Sequence, residues 1–434
     1  MTATGLKSVI TENTLNIAKN TTAQLIGKII SVAITVGATI IITRSYGREA
    51  YGDFNLMQAF PGLFFIIADF GLNAIVAREI TKHPELEQKY FSNTLLLRIL
   101  ISVTLMIFGL FIVKLRNYAP QLELGINLSL LLIATQALLA TTNIIFQTKK
   151  RLYLATISNL IGYIAILLLI IILAKANASV IWVNFAYVIG GVISLIFAIY
   201  KLKQLGVLFK LEFDLPLIKR LLVATLPLGL MFVFSQINFK IDTLLLDAAS
   251  LPESFGLNRA ETLAIYGLAY KIFEVALVIP TFFMNAAYPR IIEKSSSSKE
   301  ELRQVMFKVL GSMAILGLAA TLGILITAPI LITIIGGNNF ILSIYALRLL
   351  ALGLPIFFLT QPLSWLIVTL EKQNYLPKIY FLVALTNLLL NIHFIPLYSY
   401  KAAAVITWLC ELLVLGLLTY YAKKSWKEYY TEQI

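Results

Sequence analysis

At 434 residues, 59% of them hydrophobic and only 13% charged, the chain is far more apolar than soluble domains, which run about half apolar and a quarter charged. That balance excludes a soluble enzyme or binding module. At roughly 20 residues per membrane-crossing helix it accommodates about twelve spans with no separate soluble domain. The formal net charge of +13 would suggest nucleic-acid contacts in a soluble protein; here membrane topology accounts for it, and no nucleic-acid partner is expected.

The N-terminal MTATGLKSVITENTLNIAKN has no apolar core followed by a small-residue cleavage site, so it reads as no removable signal peptide and the first span does the targeting. Apolar stretches then follow near 18–43, 54–77, 92–113, 122–147, 153–174 and 179–200. Six more lie near 217–247, 262–288, 304–335, 342–370, 376–397 and 402–422. Each is expected to be a helix, because lipid cannot satisfy an open sheet edge and the alternation of barrel strands is missing. The predicted fold is an all-α polytopic membrane protein. Pro61, Pro227, Pro280, Pro329, Pro355 and Pro362 lie in or beside these helices and predict local kinks.

With the N-terminus inside, the inner segments carry 23 of the 35 basic residues, among them Lys82, Lys89, Lys149, Lys150, Arg151, Lys210, Lys219, Arg220, Lys423 and Lys424. The outer ones carry 7: Arg44, Arg48, Lys114, Arg116, Lys175, Arg259 and Lys401. This asymmetry predicts that both termini are cytoplasmic and that the number of spans is even. The mid-chain segment KLKQLGVLFKLEFD reads as a basic amphipathic linker on the inner surface, dividing an N-terminal six-helix lobe, 1–205, from a C-terminal one, 206–434. A faint repeat supports the division, with Tyr-Gly at 51–52 and again at 266–267 near the starts of spans two and eight.

Enzymatic patterns are poor. His83 and His393 are far apart, Cys410 is the lone cysteine, and neither a HExxH motif nor a Walker-type loop occurs, so no metal or cofactor is expected. A polytopic glycan polymerase or ligase would need a larger outer loop than the connection around 248–261, and a non-transporting scaffold would not need buried lysines. Charges within apolar runs are more informative, because a Lys, Arg or Asp near a helix centre costs about 2.5–3.5 kcal/mol on insertion and is normally paired or faces a polar cavity. Lys28 shares a stripe with Gln24, Ser31 and Thr35 at helical spacing. Lys240 lies in FSQINFKID beside Gln236, Asn238 and Asp242, and Lys271 stands three residues before Glu274. These lysines and amides are candidate substrate-binding residues, and Asp242, Glu274 and Glu411 are candidates for ion coupling. Asp69 is expected to pair structurally with Arg78 or Arg98. Arg98 and Arg348, placed near helix ends, read as snorkelling to the interface.

Several segments resemble the polysaccharide and O-antigen flippases (Wzx type) of the multidrug, oligosaccharidyl-lipid and polysaccharide (MOP) exporter superfamily. The resemblance rests on NTLNIAKNTTAQLIGKIIS at 13–31, TRSYGREAYGDFN at 43–55 and ADFGLNAIVAREI at 68–80. It continues with INFKIDTLLL at 237–246, AIYGLAYKIFEVALVIP at 264–280, AAYPRI at 286–291 and YALRLLALGLPIFFL at 345–359. It implies a MATE-like fold of two six-helix lobes around a cavity open alternately to either side. The implied cargo is a polyprenyl-pyrophosphate-linked glycan, carried across a bacterial or archaeal cytoplasmic membrane. A polysaccharide polymerase and glycosyltransferases are implied partners besides membrane lipids. A MATE-like exporter of another substrate is the alternative. The first span carries no carboxylate, which argues against a proton-coupled drug antiporter, and twelve spans rather than fourteen argue against a peptidoglycan lipid II flippase.

Overall fold

The computed structural model describes the chain from Ala3 to Thr431. Its helices are α1 (Ala3–Asp69), α2 (Leu72–Lys82), α3 (Glu87–Leu115), α4 (Pro120–Ser129), α5 (Leu131–Thr148), α6 (Leu152–Lys175), α7 (Val180–Gln204) and α8 (Leu215–Ala248). They continue with α9 (Arg259–Ala276), α10 (Val278–Ser297), α11 (Lys299–Gly336), α12 (Leu342–Ala351), α13 (Leu354–Thr369), α14 (Leu376–Tyr398) and α15 (Tyr400–Thr431). Among the described residues 11 helical stretches are long and apolar enough to cross a membrane. The first of them, Thr22–Lys82, is 61 residues long, enough for two crossings at about 20 residues each. Its helix is interrupted at Gly47 (φ 78°, ψ −173°), a conformation open essentially to glycine alone. The protein is therefore a multi-pass all-α membrane protein with a span pattern close to twelve.

Proline and glycine set the breaks inside spans. Span eight is divided between α9 and α10 just before Pro280, and span ten between α12 and α13 just before Pro355; each proline sits in the first turn of the resumed helix, where its missing N–H costs nothing. Pro61, Pro227, Pro329 and Pro362 lie inside helices. Span two, expected as one continuous helix, is broken at Phe70 and Gly71, both at positive φ (39° and 71°).

The chain groups into two compact units: 1–45 with 60–229, and 46–59 with 230–434. The division falls inside α8 rather than at 205/206, because the linker is built into the first unit. Val207 from the linker and Ile218 and Leu221 from α8 are buried in one apolar core with Leu72, Tyr90, Phe91 and Phe146. In this unit α6 and α7 approach closely at Gly162 and Gly190, where a Cβ on either would collide with the facing helix. Beside them Ser158 and Ser194 each donate to the other's carbonyl (2.7 and 2.9 Å), the small-residue packing that membrane helices use in place of hydrophobic burial.

The second unit includes the segment 46–59 and the connection at 248–261. Arg48 is ion-paired with Glu261, Asn258 donates to Glu49, and Arg259 bridges Asp53 and Asp247 at 2.8 Å each. Asn258 and Glu261 also form a capping box at the start of α9. The long connection thus ties the beginning of span two into the second unit.

Candidate functional site

In the first unit α1 is anchored to the start of α6 by Asn20, which donates to the Lys150 carbonyl (2.7 Å) and accepts from the Tyr153 N–H (3.2 Å). Gly27 lies directly against Thr156. Gln24 and Lys28 are exposed. Ser31, Thr35, Thr39 and Thr43 continue the same helix, each donating to a carbonyl one turn back (2.7–2.9 Å). Their hydroxyls satisfy themselves on the helix and leave a polar stripe. Leu25, Ile26, Ile29 and Ile30 are also exposed, so Lys28 presents its charge in apolar surroundings. Among the described residues no carboxylate lies within ion-pair distance of it.

Arg98 does not snorkel. It is fully buried, twelve residues into α3. Its guanidinium donates to Asp69 (2.5 Å), the Asn73 side chain (3.1 Å), Thr141 (3.0 Å) and the Ala137 carbonyl (3.3 Å). Asp69 closes α1 and Asn73 opens α2, so one arginine grips both sides of the break in span two. Arg348 donates to the Leu325 carbonyl from an exposed position.

In the second unit Lys240 and Lys271 both converge on Glu274. Lys240 is ion-paired with it and lies over the Tyr270 ring at 5.6 Å, while Lys271 Nζ stands 3.9 Å from its other oxygen. Two cations thus approach one carboxylate. Gln236 lies one turn from Lys240 on the same face of α8. Asn238 and Asp242 belong to another face, turned toward α14: Asn387 donates to the Asn238 carbonyl (3.4 Å) and Asn391 to Asp242 (3.0 Å). Asn238 is therefore not part of the lysine group.

Asp242, 1% exposed, takes hydrogen bonds also from Tyr266 (2.8 Å) and Thr407 (2.9 Å). No basic side chain among the described residues pairs with it. The side-chain oxygens of Asn238 and Asn391 beside it have no donor. The residues at 266, 391 and 407 were invisible as partners of Asp242 in the sequence; their only signal was polarity inside apolar runs. Glu411, also buried, accepts from Thr360.

The comparisons with known proteins agree with this architecture. Residues 17–295 match the polysaccharide biosynthesis protein family, and the chain belongs to that family. No curated protein matches it in sequence. Its fold is similar to that of the lipid II flippase MurJ in an inward closed conformation (TM-score 0.75, 16% identity, 93% of this chain and 89% of the other). It is also similar to an inward-facing multidrug resistance MATE family transporter of the MOP superfamily (TM-score 0.76, 15% identity, 92% and 96%). A third similar structure is a MOP superfamily transporter from Pyrococcus furiosus (TM-score 0.65, 14% identity, 95% and 96%).

Proposed function

We propose that this protein is a flippase, and not an enzyme, that carries a polyprenyl-pyrophosphate-linked oligosaccharide across the cytoplasmic membrane of a bacterial or archaeal cell by alternating access. The movement runs from the leaflet beside the basic loops to the opposite one, with both chain termini on the cytoplasmic side. The family supports a role in polysaccharide biosynthesis, and the fold is one that transporters use.

The observation that carries the reading is Lys28. A cation held in apolar surroundings without a counter-ion is costly, and a pyrophosphate supplies the missing charge through charge-assisted hydrogen bonds. Gln24 extends the same stripe toward sugar hydroxyls. Lys240 and Lys271, with one carboxylate between them, give the anionic head a second place to bind, and Gln236 stands beside it. Asp242 and, less directly, Glu411 are the coupling groups: a buried carboxylate without a basic partner needs a proton or a small cation to balance it. Glu274 is already balanced by lysines. A polymerase and glycosyltransferases act on the same glycan before and after transfer.

The test is reconstitution. Purified protein in liposomes should move a fluorescent polyprenyl-pyrophosphate-linked oligosaccharide between leaflets faster than protein-free liposomes. Export of a soluble organic cation with no movement of the lipid-linked glycan would support a MATE-like exporter instead.

A further inference from the structure

The first unit holds a cavity of about 280 Å³ that the transport reading does not use, lined by Leu86, Lys89, Tyr90, Asp214, Leu217 and Arg220. It lies where α3 and α8 begin, beside the linker between spans six and seven. The linker is pinned there: Gln88 donates to the Leu208 carbonyl (2.9 Å) and accepts from its N–H (2.8 Å), Asn93 accepts from the Asp214 N–H (2.6 Å), and Lys89 Nζ stands 2.6 Å from Asp214.

From Lys210 to Leu215 charged and apolar residues alternate, KLEFDL; the backbone is non-helical through Asp214, and Leu215 opens α8. Asp214 is bound to Lys89, whereas Leu211, Phe213 and Leu215 are 53%, 67% and 54% exposed. Among the described residues, more than half of each of these apolar side chains is left uncovered. The band continues into Leu222, Val223 and Leu226 of α8, also exposed, on a helix apolar enough to cross the bilayer.

The cations at the cavity are not used up by their acidic neighbours. Lys89 gives one contact to Asp214 and Arg220 one to Glu79 (3.1 Å), and their side chains remain 48% and 68% exposed; an ammonium has three donors and a guanidinium five. Lys82, Lys210 and Lys219 are exposed nearby. The stretch 201–220 carries Lys201, Lys203, Lys210, Lys219 and Arg220 against only Glu212 and Asp214.

We propose that the cavity and the linker together bind an anionic phospholipid of the leaflet they adjoin, its phosphate at Lys89 and Arg220 and its acyl chains along Leu211, Phe213 and Leu215. The apolar band runs on into exposed apolar residues of α8, a helix apolar enough to cross the bilayer, and its charged border complements an anionic headgroup, which together favour membrane lipid as the occupant. The site is independent of the cargo reading.

Native mass spectrometry of the full chain, released from micelles holding equal phosphatidylglycerol and phosphatidylcholine, tests this. The unaltered protein should retain phosphatidylglycerol selectively. K89Q/R220Q should lower that occupancy about twenty-fivefold, at roughly fivefold per cation near a membrane surface, whereas K89R/R220K should retain it. The preference of the unaltered protein is read without any substitution, so poor folding of the glutamine variant leaves the test intact. Equal retention of both lipids, unchanged phosphatidylglycerol occupancy in K89Q/R220Q, or displacement by inorganic phosphate alone would overturn the proposal; the last would make it a soluble-anion site.

Discussion

Gly267 in α9 and Asn55 in α1 meet so closely that a Cβ on the glycine would stand 2.5 Å from the Asn55 amide nitrogen. Asn55 is itself held by a hydrogen bond to the Tyr51 carbonyl (3.0 Å). The other glycine of the Tyr-Gly repeat, Gly52, lies against the Ala260 backbone carbonyl. The two repeat elements therefore pack on each other inside one compact unit. A side-chain amide can shift, but a helix carbonyl cannot. Gly267→Ala is expected to cost about 1 kcal/mol and Gly52→Ala about 3 kcal/mol or more, the range of overpacking. Thermal midpoints of the two purified variants check the order; equal losses would contradict it.

The grip of Arg98 on Asp69 and Asn73 gives a second expectation. Removing one partner of a buried ion pair strands the other, at about 3–5 kcal/mol. Asp69 is partly open, 23% exposed, so Arg98→Ala belongs at the lower end of that range. Asp69→Asn leaves the wholly buried guanidinium without its counter-charge and should cost at least as much. The double variant should lose clearly less than the two single losses added. Additive losses in the thermal midpoints would show that the pair is not coupled.

The span pattern was legible because lipid enforces long apolar helices, and each of the twelve predicted stretches falls within a helical region of the structure. Partners across helices were not legible. Asp242 stands two residues from Lys240, yet a helix turns those side chains to different faces. Lys240 finds Glu274, 34 residues away, and Asp242 finds Asn391 and Thr407. Arg98 looked close enough to a helix end to snorkel, but α3 begins at Glu87, earlier than its apolar run, which places the arginine deeper. The linker reads as a boundary from its polarity. Val207, Ile218 and Leu221 nevertheless bury it in the first unit.

The docking of the linker should depend on pH through Asp214. Hydrogen bonds from the Lys89 ammonium and the Leu217 N–H hold its carboxyl below the usual carboxylate range. A depressed folded value means the contribution is fully present above the ordinary aspartate value of about 4. It is lost as the pH falls below that, through the folded value. Asp214→Asn should melt below the unaltered protein at pH 6, and the gap should close toward pH 3. A gap independent of pH would rule out this ion pair as its source.

Coupling is expected to reside in Asp242 rather than Glu274. Asp242→Asn keeps the shape and most of the hydrogen bonds but removes the charge that a proton or sodium ion would balance. It should weaken the dependence of transfer on an imposed ion gradient while leaving passive exchange in place. Glu274→Gln should instead alter cargo affinity, because it removes the carboxylate that Lys240 and Lys271 both approach. Gradient dependence that persists unchanged in Asp242→Asn, with normal membrane insertion, would remove this carboxylate from the mechanism.

Charge substitution at Lys28, read as transfer of lipid-linked oligosaccharide in cells alongside the amount of membrane-inserted protein, bears most directly on the proposed cargo. Replacing the lysine by alanine should ease insertion by roughly 2–3 kcal/mol, so lost transfer would not reflect failed insertion. The expected result is loss of transfer in Lys28→Ala and Lys28→Gln, more activity in Lys28→Arg, which keeps the charge and can bridge two phosphate oxygens, and least in Lys28→Glu. Full transfer by the Lys28→Glu variant at normal membrane levels would contradict a contact between this side chain and the pyrophosphate.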